Sequence, residues 1–548
     1  MTADSRYTAP ADWQEHQLAK LWSEILMVKK NIIGSDSNFF DLGGHSLKVI
    51  ILVARIQKEF STRIDMSKIF HNPTLKRMAA IIKSATKSKY TPIVPAEKKE
   101  YYILSSGQKR LFIQQQLNPD STGYNMPQVV KLEGELGKNR LNEIIGKLIQ
   151  RHESLRTSFF MMEELFVQRI HEYNQMEFEI QYHVLRPGQN DKPNIIDNFI
   201  RPFDLSQAPL IRVGLIKEEK GCYILMLDMH HIVNDGVSTV ILIKDFIAHY
   251  TGKELSPLKL QYKDYSQWQN LLLQSRYLKK QETYWMKQFE GEIPVLNMLT
   301  DFPRPEEETF AGNSLNFTLG ELLTRQLKQL VKARGLTLYI ALLAVYYILL
   351  AKYTGQEDIV VGSGIAGRTH ANLENIIGIF VNMLALRNRP GGDKTFEQFL
   401  EEIRESVFNA YENQDYQFDE LVKKLGVQRQ GNRNPLFDVQ FTLQNVGLES
   451  IDPGGMQVKS YGYKKRVMQF DLSLDGAETG ETITLRFAYL TSLFKPSTVE
   501  KMCVHFVEIL EQVVENEYIK IKDINISHEL STGMQQDFTQ NDYIDFEF

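Results

Sequence analysis

The sequence predicts a multidomain protein: a small four-helix bundle at the N-terminus, then a much larger mixed α/β region. Three observations carry this. Apolar residues recur at helical spacing between Leu18 and Ile82, a stretch rich in Lys, Ser, Thr and Pro follows from Lys83 to Glu100, and beyond it helical segments alternate with strand-like ones. At 548 residues the chain is too long for the bundle alone and has room for two to four structural units.

Taking the elements in order, Leu18, Leu21, Trp22, Ile25 and Leu26 fall at i, i+3, i+4, i+7 and i+8, which predicts an amphipathic helix over about 12–27. A second helix is predicted from Ser46 toward Phe60. Leu47, Ile50, Ile51 and Ala54 form its core stripe, while Val49, Leu52 and Val53 leave apolar surface for a docking face. Asp65 to Phe70 gives a short third helix, and Leu75, Met78, Ala79 and Ile82 mark a fourth. A bundle of this size folds alone but has little core to spare. The stretch 85–100, stiffened by Pro92 and Pro95 and without apolar periodicity, reads as a tether. Past it, Leu141 to Gln150 reads as helix, and Cys222 to Met229 and Ile359 to Val361 as strands. Residues 531–548, polar and acidic, read as a tail or as the start of a further linker.

Composition excludes several classes. Hydrophobic residues make up 43% and charged residues 24%, with a formal net charge of -5, so no basic excess argues for nucleic acid. Cys222 and Cys503 lie far apart without metal-ligand or redox spacing, which points to a reducing, cytoplasmic setting. Met1 to Pro10 lacks a signal pattern. The longest apolar stretch, Leu338 to Ala351, is shorter than the roughly 20 residues a bilayer demands and reads as a buried core helix capped by Thr337.

Two stretches carry chemistry. The first is Asp41-Leu-Gly-Gly-His-Ser46-Leu, which sets a serine hydroxyl at the start of an apolar helix directly after a glycine pair. A helix N-terminus offers unpaired N–H groups and the positive end of its dipole, both favourable to a phosphodiester on that serine. Gly43 and Gly44 would let a modifying enzyme approach the backbone. With Phe39-Phe40 upstream, the stretch resembles the phosphopantetheine attachment signature of peptidyl and acyl carrier proteins. The resemblance implies a peptidyl carrier domain over 1–84, with 4'-phosphopantetheine covalently on Ser46.

The second is Met229-His-His-Ile-Val-Asn-Asp-Gly-Val-Ser238. If the strand geometry of Tyr223 to Asp228 persists, its adjacent histidines point to opposite sides, one toward a cleft and one into the protein body. No third or fourth ligand stands at a familiar spacing, so a metal site is a weak reading. The string HHxxxDG resembles the signature of nonribosomal peptide synthetase condensation domains, in the chloramphenicol-acetyltransferase-like superfamily. Leu104 to Phe112, Arg151 to Phe159, Tyr262 to Trp268, Ile377 to Met383, Asn413 to Phe418 and Asn432 to Leu436 fit the same family in the same order. The chain as a whole looks most like the carrier-condensation didomains of synthetases such as that for tyrocidine.

What this resemblance implies is a condensation domain over 101–530, built of two related α/β lobes, about 101–275 and 276–530, with a tunnel between them. Carriers of upstream and downstream synthetase domains deliver an acyl thioester and an aminoacyl amine, and an amide bond forms. Adenylation domains and a phosphopantetheinyl transferase are the further implied partners, and neither nucleic acid nor membrane is. His231 takes or holds the amine proton, and His230 falls on the structural side. Asp235 is expected to pair with Arg156, fixing the loop. The Gly236 N–H can approach the carbonyl, Asn382 is placed in the tunnel wall opposite His231, and Asn234 is read as a surface-loop residue. The forms SSGQKRLF and NDGVS look like domains that join an L-configured donor.

An epimerisation domain shares the paired histidines, but the carriers that feed one typically read GGDS where this chain has GGHS. A CoA-dependent acyltransferase would leave the fused carrier unexplained, and a noncatalytic docking module would leave the histidines unexplained. A Ser or Cys hydrolase lacks its GxSxG elbow here.

Overall fold

The computed structural model describes residues 7–87, 91–134, 136–185, 191–219, 221–307, 309–427, 431–444, 455, 457–461 and 467–527. The predicted tail, 531–548, lies outside them. The four bundle helices are α1 (Trp13–Leu26), α2 (Ser46–Phe60), α3 (Met66–His71) and α4 (Leu75–Ser84). Asp12 caps α1 by accepting from the Glu15 N–H. Leu18, Trp22, Leu75 and Met78 are fully buried, and Trp22 meets Phe39 edge-on at 5.1 Å. The apolar periodicity read from the sequence is therefore the stripe that packs.

The first lobe holds β1 (Tyr102–Ile103), α5 (Ser106–Leu117), β2 (Gln128–Glu133), α6 (Lys138–Arg151), β3 (Thr157–Met162), β4 (Leu165–Ile170), β5 (Gln181–Val184), α7 (Lys192–Phe199), β6 (Ile211–Glu219), β7 (Cys222–Met229), α8 (Gly236–Tyr250) and α9 (Tyr262–Leu272). The second begins with α10 (Arg276–Gln288) and β8 (Gly312–Leu319), then α11 (Glu321–Ala333), α12 (Leu338–Thr354), β9 (Ile359–Ile365), β10 (Asn382–Asn388), α13 (Phe396–Glu412), α14 (Phe418–Leu425), β11 (Val439–Gln444), β12 (Gln457–Ser460), β13 (Leu472–Thr479), β14 (Thr482–Leu490) and α15 (Pro496–Glu515).

Each lobe has a mixed sheet. The first reads β12-β2-β7-β6-β5 and the second β10-β9-β11-β13-β14-β8, with β1, β4 and β3 forming a separate small sheet. Strand β12 crosses from the second half of the chain to pair antiparallel with β2, so the two lobes are not a clean sequential division. The crossing covers an edge of the first-lobe sheet that would otherwise present unpaired backbone groups. Helix α12 is sealed in the second lobe with Thr337 accepting from the Ile340 N–H, as the uncharged run predicted. Among the described residues no single helix is long and apolar enough to cross a membrane.

The stretch after the bundle is less free than a tether. Its second half is fastened to the two lobes. Thr91 O accepts from His370 Nε2 at 3.1 Å, the Ile93 N–H donates to Asn372 Oδ1 at 3.3 Å, and the Ala96 N–H donates to Asp264 Oδ1 at 2.8 Å. Ile93 itself is buried among Leu104, Phe380 and Leu373.

Candidate active site

Strand β7 ends at Met229, and the chain then turns through His231–Val233 before Asp235 opens α8. His230 is fully buried. Its Nδ1 accepts from the Ile232 N–H at 3.1 Å, so Nε2 carries the proton and donates to Gln115 Oε1 at 3.2 Å. Burial, aided by the charges of His231 and Arg212, pushes it down to about 3, which keeps it neutral. His231 is half-buried, and because β7 stops at Met229 it is the turn through His231–Val233, not strand alternation, that sets it apart from His230. Its N–H donates to Tyr124 O at 2.8 Å, and its Nδ1 lies 2.7 Å from Asn234 O. A carbonyl only accepts, so Nδ1 bears the proton and Nε2 is left with the lone pair.

Asp235 is fully buried and bonded across the lobe boundary. Its Oδ1 accepts from the Ser238 N–H at 2.7 Å and from Arg368 Nη2 at 3.2 Å, and Oδ2 accepts from the Phe380 N–H at 3.0 Å. The expected partner, Arg156, is not there. Its guanidinium donates to His171 O, just past β4, and lies 3.8 Å from Glu153 in its own turn ahead of β3. Arg368 replaces it because the loop between β9 and β10 comes over the start of α8, which short-range sequence spacing could not show. The same guanidinium donates to Leu373 O at 2.6 Å, Ile376 O at 2.7 Å and Ser238 Oγ at 2.8 Å, and sits 3.9 Å over the Phe380 ring.

Ser238 completes the clasp, accepting from the Gly378 N–H and donating to Gly378 O, both at 3.0 Å. Gly378 is required. Its φ is +151°, and a Cβ there would lie 2.0 Å from the Tyr262 ring. Tyr262 in turn donates to Ile379 O, so the Tyr262–Trp268 motif supports this loop from behind.

Two further expectations are corrected. Asn234 is not on the surface: it is fully buried, with Nδ2 donating to Thr239 Oγ1 at 2.8 Å. Asn382 is also buried, and its side chain is occupied within the second lobe. It donates to Gln414 O and Tyr416 O and accepts from the Phe418 N–H, pinning the turn before α14. Gly236 is the first residue of α8, where a backbone N–H has no acceptor within the helix.

At the other site, Ser46 is the first residue of α2 after His45, whose side chain makes no capping bond. Gly43 has φ +91°, and a Cβ on Gly44 would lie 2.2 Å from the Phe39 ring. The glycine pair is thus demanded by the turn itself. An uncapped helix start with Lys48 two residues on suits an anionic group on residue 46.

Residues 98–535 match the condensation domain family model. The chain belongs to the condensation domain family. Residues 16–82 match the phosphopantetheine attachment site family, so the condensation domain is preceded by a carrier that takes covalent 4'-phosphopantetheine. The chain is 42% identical over 523 residues to tyrocidine synthase 3 of Brevibacillus parabrevis, covering 95% of this chain and 8% of that protein. To bacitracin synthase 3 of Bacillus licheniformis it is 42% identical over 544 residues, covering 99% and 8%. It therefore spans under a tenth of these relatives. Among solved structures, the X-domain from teicoplanin biosynthesis superposes with TM-score 0.73 at 22% identity, covering 80% of this chain and all of that one. A four-domain nonribosomal peptide synthetase bound to AMP and glycine gives 0.71 at 23%, covering 79% and 34%. Both show the fold.

Proposed function

We propose that this chain holds an acyl thioester on Ser46 and joins it to the amine of an aminoacyl group brought by a downstream carrier. The observation that carries the reading is the 2.7 Å contact from His231 Nδ1 to Asn234 O, which fixes the tautomer whose Nε2 accepts a proton. When bound, the phosphopantetheine arm presents the acyl group as a reactive thioester. As the amine attacks, nitrogen gains positive charge, and His231 Nε2 takes its proton or holds the amine neutral and oriented. The arm, when bound, would supply a thiolate leaving group, and the proton taken up at His231 Nε2 would be the one available to it. Asp235 stays away from the reacting atoms. With Arg368 it fixes the helix start that His231 leans on, and Gly236 N–H is the donor nearest that start. Adenylation domains, neighbouring carriers and a phosphopantetheinyl transferase are the proposed partners, in the cytoplasm.

The test is mass spectrometry of the product after loading Ser46 and supplying a downstream aminoacyl carrier. The reading predicts a new amide on the downstream arm. An epimerised but unextended acyl group on Ser46 would instead favour the related epimerisation activity, and no change would leave a docking module.

A further inference from the structure

The paired histidines lean on one loop. Residues 118–125 make two successive turns, the Ser121 N–H donating to Asn118 O and the Asn125 N–H to Thr122 O, both at 3.0 Å, and the Gly123 N–H joins them through Ser121 Oγ at 3.0 Å. The loop then meets the end of β7 antiparallel. Asn125 bridges to His230, the Met126 N–H donates to Met229 O at 2.8 Å, and Tyr124 O takes the His231 N–H. The backbone of His231 is therefore placed only as firmly as this loop.

Gln115, in the last turn of α5, ties the loop to the first histidine. It is buried, on a helix whose Leu111 and Phe112 share a core with Ile232 and Val233 of the histidine turn. Its Oε1 accepts from His230 Nε2 at 3.2 Å, and its Nε2 donates to Pro119 O at 3.0 Å, with Ser121 O at 3.4 Å and Asn118 O at 3.5 Å. Both sides fix the amide's orientation. Turned over, it would set its oxygen against three carbonyls and its N–H groups against the His230 N–H. Glutamate would lack the donor, asparagine would be a methylene short, and methionine would offer neither group.

We infer that Gln115 is a positioning residue for amide formation, setting where His231 stands by holding its neighbour's ring and the loop behind it at once. This rests on the reading that His231 Nε2 handles the amine proton. The contacts run from Gln115 Oε1 to the His230 ring, from His230 Nδ1 to the Ile232 N–H, and so into the turn that carries His231. Without Gln115 the buried His230 N–H loses its acceptor beside the rings of Phe203 and Tyr124. The ring then turns, the Ile232 N–H is released, and the loop under Tyr124 loosens with it. A displacement of about 1 Å at a reacting group costs roughly a hundredfold in rate.

Single-turnover amide formation tests this, from full-length chain loaded on Ser46 to a downstream aminoacyl carrier at varied concentration. Gln115→Met removes both halves of the contact, and Gln115→Glu keeps the acceptor for His230 but not the donor to the loop. The inference predicts that the rate constant at saturating acceptor falls at least about tenfold in both, with half-saturation moved less than about twofold, and that neither change costs anything further once His231 is alanine. The rate constant belongs to the folded molecules, so lost stability alone lowers only the amplitude. An unchanged rate constant in either variant would overturn the inference, and so would a loss that persists in full on top of His231→Ala. Should Gln115→Met not fold, Gln115→Glu decides by the same rates. His231→Ala alone separates the two readings. A parent-like rate there sinks the proton-handling role, whereas its loss beside an unchanged Gln115→Glu sinks only the role of Gln115.

Discussion

Helices α2 and α8 are both fifteen residues long, and both begin in motifs that the sequence singles out, yet their first turns are built in opposite ways. At α8, Asp235 caps its own helix and is held from the other lobe by Arg368 and Phe380. At α2, His45 occupies the cap position without a side-chain bond, and Lys48 Nζ donates to Gly43 O. The α8 start, beside the histidine pair, is bound by long-range contacts. The first turn of α2, where the arm is attached, is closed by the short-range Lys48–Gly43 bond.

The comparison can be broken most directly at Ser46. Ser46→Ala should abolish incorporation of phosphopantetheine from CoA, read by intact-protein mass spectrometry, without changing the melting temperature of the condensation domain. Next comes His231→Ala, which should lower amide formation by roughly a hundredfold or more, the range expected when a proton acceptor is removed, while the fold survives. Near-normal turnover with a slow amine acceptor would make positioning the source of the rate.

Asp235→Ala should cost activity together with stability, because Arg368 is left charged and buried, a loss of about 3–5 kcal/mol. Arg368→Ala should cost as much, and the two should not add in a double-mutant cycle, whereas Arg156→Ala should couple to neither. At the α2 turn, Gly44→Ala should destabilise the carrier by about 1–3 kcal/mol as Phe39 is displaced, leaving the condensation domain unaffected. The smallest effect is in pH. His230 titrates near 3 in the fold and near 6.5 when unfolded, so its contribution is complete above pH 6.5 and drains away as pH falls toward 3. Each unit in that window costs about 1.4 kcal/mol. Thermal melts at pH 7.5 and 5.5 should show His230→Gln losing less than the parent chain.

Local patterns were readable in the sequence because their cause is local. The stripe from Leu18 to Leu26 and the sealed helix after Thr337 follow from periodicity or capping, and the start of α2 at Ser46 follows from the glycine pair ahead of it. What the sequence hid depends on distant segments meeting. Arg156 was expected beside Asp235 because both sit in motifs, but Arg368 arrives there only through the β9–β10 loop. Asn382 looked like tunnel wall, while its amide is used to hold residues 414–418. Asn234 follows a turn that places it under α8, which no polarity scale reveals. The crossing of β12 has no signature either, since only the vacant edge of β2 calls for it.

The fastening of Thr91, Ile93 and Ala96 also says where the chain can be cut and rejoined. Those residues lie before the condensation fold in sequence but belong to its surface, since Asn372, His370 and Asp264 are their partners. A chimaera joined after Ala96 would leave three partners on one parent matched to a linker from another. A junction placed between Lys87 and Thr91 would keep these three linker contacts with the condensation domain and leave Lys87 with its carrier partner Thr62.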